Sequence, residues 1–177
     1  YRLCHKDGGI RWAYEKGRGV IGADGKVESL DGFILDVTER KEAELKFKTL
    51  YESSGDAVML LNEKGFFDCN EAAVRMFGCK DKAEFCSSHP ADFSPANQPC
   101  GTDSVVLANQ QIATAMNAGS NHFEWVHQTV DGIEFYADVL LHAIELDGKQ
   151  CLQAVVRDIT KRKQAEETLR ESEESYR

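Results

Sequence analysis

Four side chains able to ligate a borderline-soft metal fall between positions 79 and 100: Cys79, Cys86, His89 and Cys100. Structural zinc sites pair their ligands roughly two to four residues apart, and only Cys86-x-x-His89 has that spacing. Small buried thiols and a surface histidine in an irregular loop explain the same residues, so no metal is expected. Gly17-Arg18-Gly19-Val20-Ile21-Gly22 fits a dinucleotide-binding pattern, which needs a helix after the glycines to receive the pyrophosphate. A turn and another extended segment follow instead, and the match is rejected. No nucleophile–base pair or carboxylate pair stands in a catalytic setting, so this chain is not read as an enzyme. His122, His127 and His142 lie at or on extended segments, where pairing and surface roles are commoner than ligation.

The charge balance narrows the partners. A net charge of −9 argues against nucleic-acid binding, which draws most of its affinity from clustered basic residues. The short basic knots Arg40-Lys41 and Lys161-Arg162-Lys163 read as solvated helix starts. The longest apolar run, Ala57 to Leu61, is far too short to cross a bilayer, so no membrane contact is expected within the chain. Six scattered cysteines, none in a Cys-x-x-Cys pair, suit reduced thiols in a cytoplasm. The opening Tyr1-Arg2-Leu3-Cys4, without an initiator Met, reads as a piece of a longer protein whose membrane anchor, if any, lies elsewhere.

These residues are positioned by a repeated pattern. Leu35-Asp36-Val37-Thr38-Glu39-Arg40-Lys41 returns as Arg157-Asp158-Ile159-Thr160-Lys161-Arg162-Lys163. In each copy an alternating apolar run reaches an Asp-x-Thr step, and a charged helical pattern follows. Asp and Thr suit that boundary because their oxygens can accept hydrogen bonds from the first free helix amides. Before the first copy stand extended segments at Tyr1 to His5, Ile10 to Tyr14, Gly17 to Gly22 and Ser29 to Val37. Before the second come His122 to Val130, Ile133 to Leu146 and Lys149 to Arg157, joined by Asp-Gly turns as in the first.

Between the copies, Thr38 to Ser54 reads as a helix, with Ala43, Phe47, Leu50 and Ser54 as a narrow seam. A hairpin spans Ala57 to Cys69. Asn70 caps a short helix that Gly78 stops, and Cys79 to Gly101 is irregular with one or two single-turn helices. Thr102 to Ala118 is the long helix, with Val105, Ala108, Ile112, Ala115 and Met116 on one face. After Ile159 the seam repeats as Ala165, Leu169, Ser172 and Tyr176, which reads as a coiled-coil linker one heptad longer than the first.

Alternation along the last three strands places Phe123, Trp125 and His127 on one face, then Phe135, Ala137, Val139 and Leu141, then Leu152, Ala154 and Val156. With Ile112 and Met116 they form the expected pocket wall. Two readings stay open: a filled core, or a cavity in which Trp125 and His127 orient a small organic ligand.

The order strand, strand, short helices, long helix and three strands, closed by Arg157-Asp158-Ile159-Thr160, resembles the PAS sensory family with its C-terminal PAC segment. Gly55-Asp56-Ala57-Val58, Asn70-Glu71-Ala72-Ala73 and Phe123-Glu124-Trp125 with Asp131-Gly132 carry the same resemblance. It implies an α+β fold, a five-stranded antiparallel sheet with helices on one face, flanked by coiled-coil-like helical linkers. The expected division is a three-strand tail of an upstream PAS unit (1–37), a helical linker (38–54), a complete domain (55–160) and a C-terminal linker helix (161–177).

The implied function is a non-catalytic sensory and dimerisation module, with a parent such as a sensor histidine kinase or diguanylate cyclase. Its partners would be a second copy, held through the linker helices, and the adjacent PAS and output domains of the same chain. Asp36, Thr38, Asp158 and Thr160 would be the signal junctions. No cofactor is expected: the flavin branch's Asn-Cys-Arg-Phe-Leu-Gln is absent, and the long helix lacks the His that haem sensors commonly use. A structural dimerisation spacer without ligand and a Cys/His metal or redox sensor are the alternatives.

Overall fold

Alternating segments punctuated by Asp-Gly turns become strands throughout the computed structural model, which describes residues 1–88 and 90–175. His89 and Tyr176 lie outside the described residues, so the Cys86-x-x-His89 pair and the end of the second seam are not placed. The chain divides into two compact units, Tyr1–Leu50 and Tyr51–Arg177. No described helix is long and apolar enough to cross a membrane.

The first unit is an antiparallel sheet of β1 (Arg2–Cys4), β2 (Ile10–Ile21) and β3 (Val27–Asp36), in that order, followed by α1 (Thr38–Ser53). The sequence suggests a break between Tyr14 and Gly17, yet β2 is continuous through it. Gly17 pairs with Gly32 across the sheet. A Cβ at Gly32 would stand 2.6 Å from Lys16 O and 2.7 Å from Gly17 Cα. These glycines therefore serve a close approach of two backbones rather than a turn. Leu30, Phe33, Ile34 and Leu35 of β3 are all exposed.

The second unit carries β4 (Ala57–Asn62), β5 (Gly65–Cys69), α2 (Glu71–Phe77), α3 (Lys82–Ser87), a 3-10 turn (Pro90–Phe93) and α4 (Ser104–Ala118). β6 (Ser120–Gln128), β7 (Glu134–Leu146), β8 (Lys149–Asp158) and α5 (Thr160–Ser175) follow. The five strands form one antiparallel sheet in the order β5-β4-β8-β7-β6, so the first hairpin docks on the last strand. This is the α+β architecture expected above.

Local chemistry sets the boundaries. Asn70 Oδ1 accepts from Ala73 N at 3.0 Å to start α2, and Gly78 ends it at φ 73°. Asp81 caps α3 and Asp103 caps α4 in the same way. The core lies between the inner sheet face and the helices, where Phe77, Phe85 and Phe93 are almost wholly buried.

One expected face is rotated. Ala115 is buried and Leu107, Ala108 and Ile112 pack on the core, but Val105 and Met116 are 47% and 36% exposed. At about 100° per residue, both sit roughly 80–100° around the helix from Ala115, at the rim of the stripe that meets the sheet.

Candidate functional site

The inner sheet face and the helices line a half-open chamber of about 90 Å³. β4 contributes Met59 and Leu61, β5 Phe66, α2 Phe77, and the 3-10 turn with its flank Pro90, Phe93 and Ser94. Ala108 and Ile112 of α4 cover it. Phe123, Trp125 and His127 of β6, Val139 and Leu141 of β7, and Ala154 and Val156 of β8 complete the wall.

Two polar groups break the apolar lining. Trp125 Nε1 donates to Ser94 Oγ at 3.0 Å. His127 Nδ1 lies 2.9 Å from Phe93 O, and since a carbonyl only accepts, Nδ1 carries the ring proton. Nε2 is therefore an acceptor, closed off from solvent and without a partner among the described residues. His127 as a whole residue is only half-buried, but its ring is walled by Phe77 at 5.2 Å, edge-on, and by Phe135 at 5.7 Å. Burial pushes His127 down to about 4, against a smaller opposing effect of Phe93 O, so the ring is neutral near pH 7.

That burial has a measurable consequence. Below pH 6.5 the unfolded chain takes up a proton that the folded chain refuses until about pH 4. Stability held in full above 6.5 thus falls across this window, by about 3 kcal/mol at most. Urea unfolding at pH 7 and pH 4.5 should show this loss in the wild type and a smaller one in His127→Phe. Equal losses would mean that the ring titrates as it does in water.

Behind the wall, buried Gln98 pins the irregular segment to β6. Its Nε2 donates to Ser104 Oγ (2.9 Å) and Val126 O (3.0 Å), and its Oε1 accepts from Val126 N (2.8 Å).

The strand-to-helix junctions are built alike in the two units. In the second, Asp158 Oδ1 accepts from Thr160 N at 2.8 Å, Thr160 Oγ1 accepts from Tyr136 N at 3.0 Å, and Ile159 N donates to Tyr136 O at 2.9 Å. In the first, Asp36 Oδ1 accepts from Thr38 N at 2.9 Å, Thr38 Oγ1 from Trp12 N at 2.8 Å, and Val37 N donates to Trp12 O at 2.8 Å. The aspartate thus accepts from a helix amide as expected. The threonine does not: its hydroxyl reaches back to the neighbouring strand, because it sits just past the end of its own strand, where the next N–H of that neighbour has no ladder partner and faces it. Glu124 of β6 ties down the start of α5, at 3.1 Å from Arg162 and 2.5 Å from Lys163.

A family model described as PAS domain matches residues 55–161, well over half of the chain. The chain belongs to the PAS domain family. The second unit is accordingly similar to solved PAS domains. A PAS domain of an HTR-like protein from Haloarcula marismortui shares 20% identity over 68% of this chain and 95% of its own, at TM-score 0.57. One from a two-component sensor histidine kinase shares 19% over 67% and 98%, at 0.54. A third, solved in complex with ethanol, comes from a LuxR-family transcriptional regulator of Burkholderia thailandensis, with 15% identity over 64% and 96% at 0.52. Comparison with curated proteins gives no match.

Within the PAS unit, eight of the wall residues expected from sequence line the chamber: Ile112, Phe123, Trp125, His127, Val139, Leu141, Ala154 and Val156. Four do not. Phe135 and Ala137 are buried but lie off the chamber. Leu152 and Met116 line an outer groove of about 380 Å³, Met116 because it sits at the rim of the α4 stripe rather than on the face that meets the core.

The wall residues that the sequence does not assign to the pocket are Met59, Leu61, Phe66, Phe77, Pro90, Phe93, Ser94 and Ala108, the last expected only on the inner face of the long helix. Alternation along Ala57 to Asn62 would have found the first two, whereas Phe93 and Ser94 carry no periodic signal. Among the described residues no group of three or more His, Cys, Asp or Glu side chains could hold a metal. Cys79 is buried, Cys86 half-buried and Cys100 exposed. Cys86 instead stands near Cys69, a thiol whose burial pushes its pKa up to about 12.

Proposed function

We propose that the PAS unit is a non-catalytic sensory module in which a small ligand in the chamber, or movement of an upstream helix, biases a helical output. One observation carries this reading. β8 supplies Ala154 and Val156 to the chamber wall and then runs, with only Ile159 between, into α5. A change of packing at Val156 therefore lies two residues from the elbow at Asp158. Small shifts at such a joint are amplified when the helices beyond it have two alternative packings.

The seams on α1 and α5 support homodimerisation through these helices. The first unit, with its matching junction, is read as the tail of a preceding PAS domain. This segment is a cytoplasmic part of a parent sensor such as a histidine kinase or diguanylate cyclase, with adjacent PAS and output domains as partners in the same chain and any membrane anchor outside it. The buried thiols Cys69 and Cys86 do not favour a redox reading, because burial holds them protonated and a thiol reacts as thiolate.

Native mass spectrometry of the purified chain tests the proposal: a dimer free of stoichiometric metal is expected. A monomer at tens of micromolar, or a bound metal, would count against it. The elbow is tested separately. Asp158→Ala removes the acceptor of Thr160 N–H, a charge-assisted bond, and should speed amide exchange in the first turn of α5 by about tenfold. Protection along β4 and β8 should stay as it is. Unchanged exchange at Thr160 would remove Asp158 from the joint.

A further inference from the structure

Building on the chamber as the ligand site proposed above, we infer that it is only the deep end of that site and that the outer groove is the other end. Together they receive an uncharged aliphatic amphipath, apolar end inward, of the class of a medium-chain alcohol or amide. Leu61, Pro90, Ser94, Ala108 and Ile112 border both spaces, so the half-open chamber meets the groove beside α4 and the 3-10 turn. Ala108 puts only a methyl group at that boundary. Alone, the chamber's 90 Å³ is far below the roughly 300–1,000 Å³ of a small-molecule site, and with the groove's 380 Å³ the pair falls inside that range.

Polarity sets the direction of the ligand. In the chamber the Trp125 indole N–H is given to Ser94 and the His127 Nδ1 proton to Phe93 O, while Nε2 is closed off. A polar head placed there would lose its water for little return, whereas an apolar end gains by leaving water. The groove offers the opposite. Asn109 and Gln150 bring carboxamides, which both donate and accept, beside the exposed apolar Val105 and Met116. Its charged residues are one of each sign, Glu63 and Lys64, so its net charge selects neither an anion nor a cation. An uncharged head that donates and accepts suits that lining.

The test uses the whole chain and the straight-chain alcohols from butanol to nonanol, titrated singly and followed by NMR at two reporters. Trp125 lines the chamber and not the groove, and Met116 the groove and not the chamber. The expected result is binding about threefold tighter for each added methylene, as for carbons leaving water. Butanol should move only the Trp125 indole N–H, and nonanol should move that signal and the Met116 methyl with one dissociation constant. In Met116→Ala, a change at a 36% exposed position, nonanol should bind about threefold weaker and butanol as before. Nonanoate should bind the wild type at least fivefold weaker than nonanol.

An affinity that stops rising at butanol or pentanol, with Met116 unmoved, would overturn the inference while leaving the chamber as a ligand site. Butanol and nonanol weakened alike by Met116→Ala, or neither weakened, would overturn it too, since the chain would then not reach the groove. Nonanoate binding as tightly as nonanol would overturn the uncharged head. Binding of no alcohol would overturn both the inference and the ligand reading. The wild-type series decides without the variant.

Discussion

The Asn70→Ala variant is expected to lose about 4 kcal/mol of unfolding free energy in the PAS unit. Asn70 is wholly buried and its amide is fully used. Oδ1 accepts from Val58 N and Ala73 N, both at 3.0 Å, while Nδ2 donates to Tyr51 O at 3.0 Å and Asp56 O at 3.1 Å. One side chain thus joins the end of α1, the start of β4 and the cap of α2. Removing a cap costs about 1 kcal/mol, and each buried backbone group left unpaired adds roughly 1–3. Some of those groups would find water, which keeps the total near 4 rather than higher. Urea unfolding followed by far-ultraviolet circular dichroism measures the loss. A change below about 1 kcal/mol would show that the three elements hold together without this residue.

Phe77→Ala is expected to cost a similar amount, about 4 kcal/mol, by a different route. Phe77 is 1% exposed and meets Phe93 at 4.7 Å, Phe85 and Phe135 at 5.6 Å each, and His127 at 5.2 Å between ring centroids. No polar group is orphaned by its loss, so the cost is transfer free energy plus the void. Its neighbours are themselves rings held by the 3-10 turn and by β7, which limits collapse into the gap. The same urea experiment applies. A loss near 1 kcal/mol would mean that Phe93 moves in to refill the space, and the chamber would then shrink.

Much of the architecture was legible because it is encoded locally. Asp-Gly turns, the Asn70 cap and the Gly78 stop each depend on residues a few positions apart, and all fall where the sequence places them. The wall on β6 was legible for a similar reason: once a strand starts in register, alternation carries Phe123, Trp125 and His127 to one face.

What stayed hidden depends on partners far along the chain. Ser94 and Gln98 belong to a segment without periodicity, and their places are set by Trp125 and Val126, about thirty residues away. The continuity of β2 was hidden because a glycine signals a turn and a close backbone approach equally well. The proton position on His127 was equally unreadable, since Phe93 O decides it.

Tyr136 holds the start of α5 at two points: its N–H goes to Thr160 Oγ1 and its carbonyl takes the Ile159 N–H. This helix is therefore riveted to β7, while its covalent leash is β8. Sliding β8 lengthwise against β7 would have to shear both rivets, whereas a swivel of the β7–β8 ribbon leaves them whole. Such a mounting favours torsion over piston travel, and Trp12 holds Val37 and Thr38 in the same grip at the start of α1.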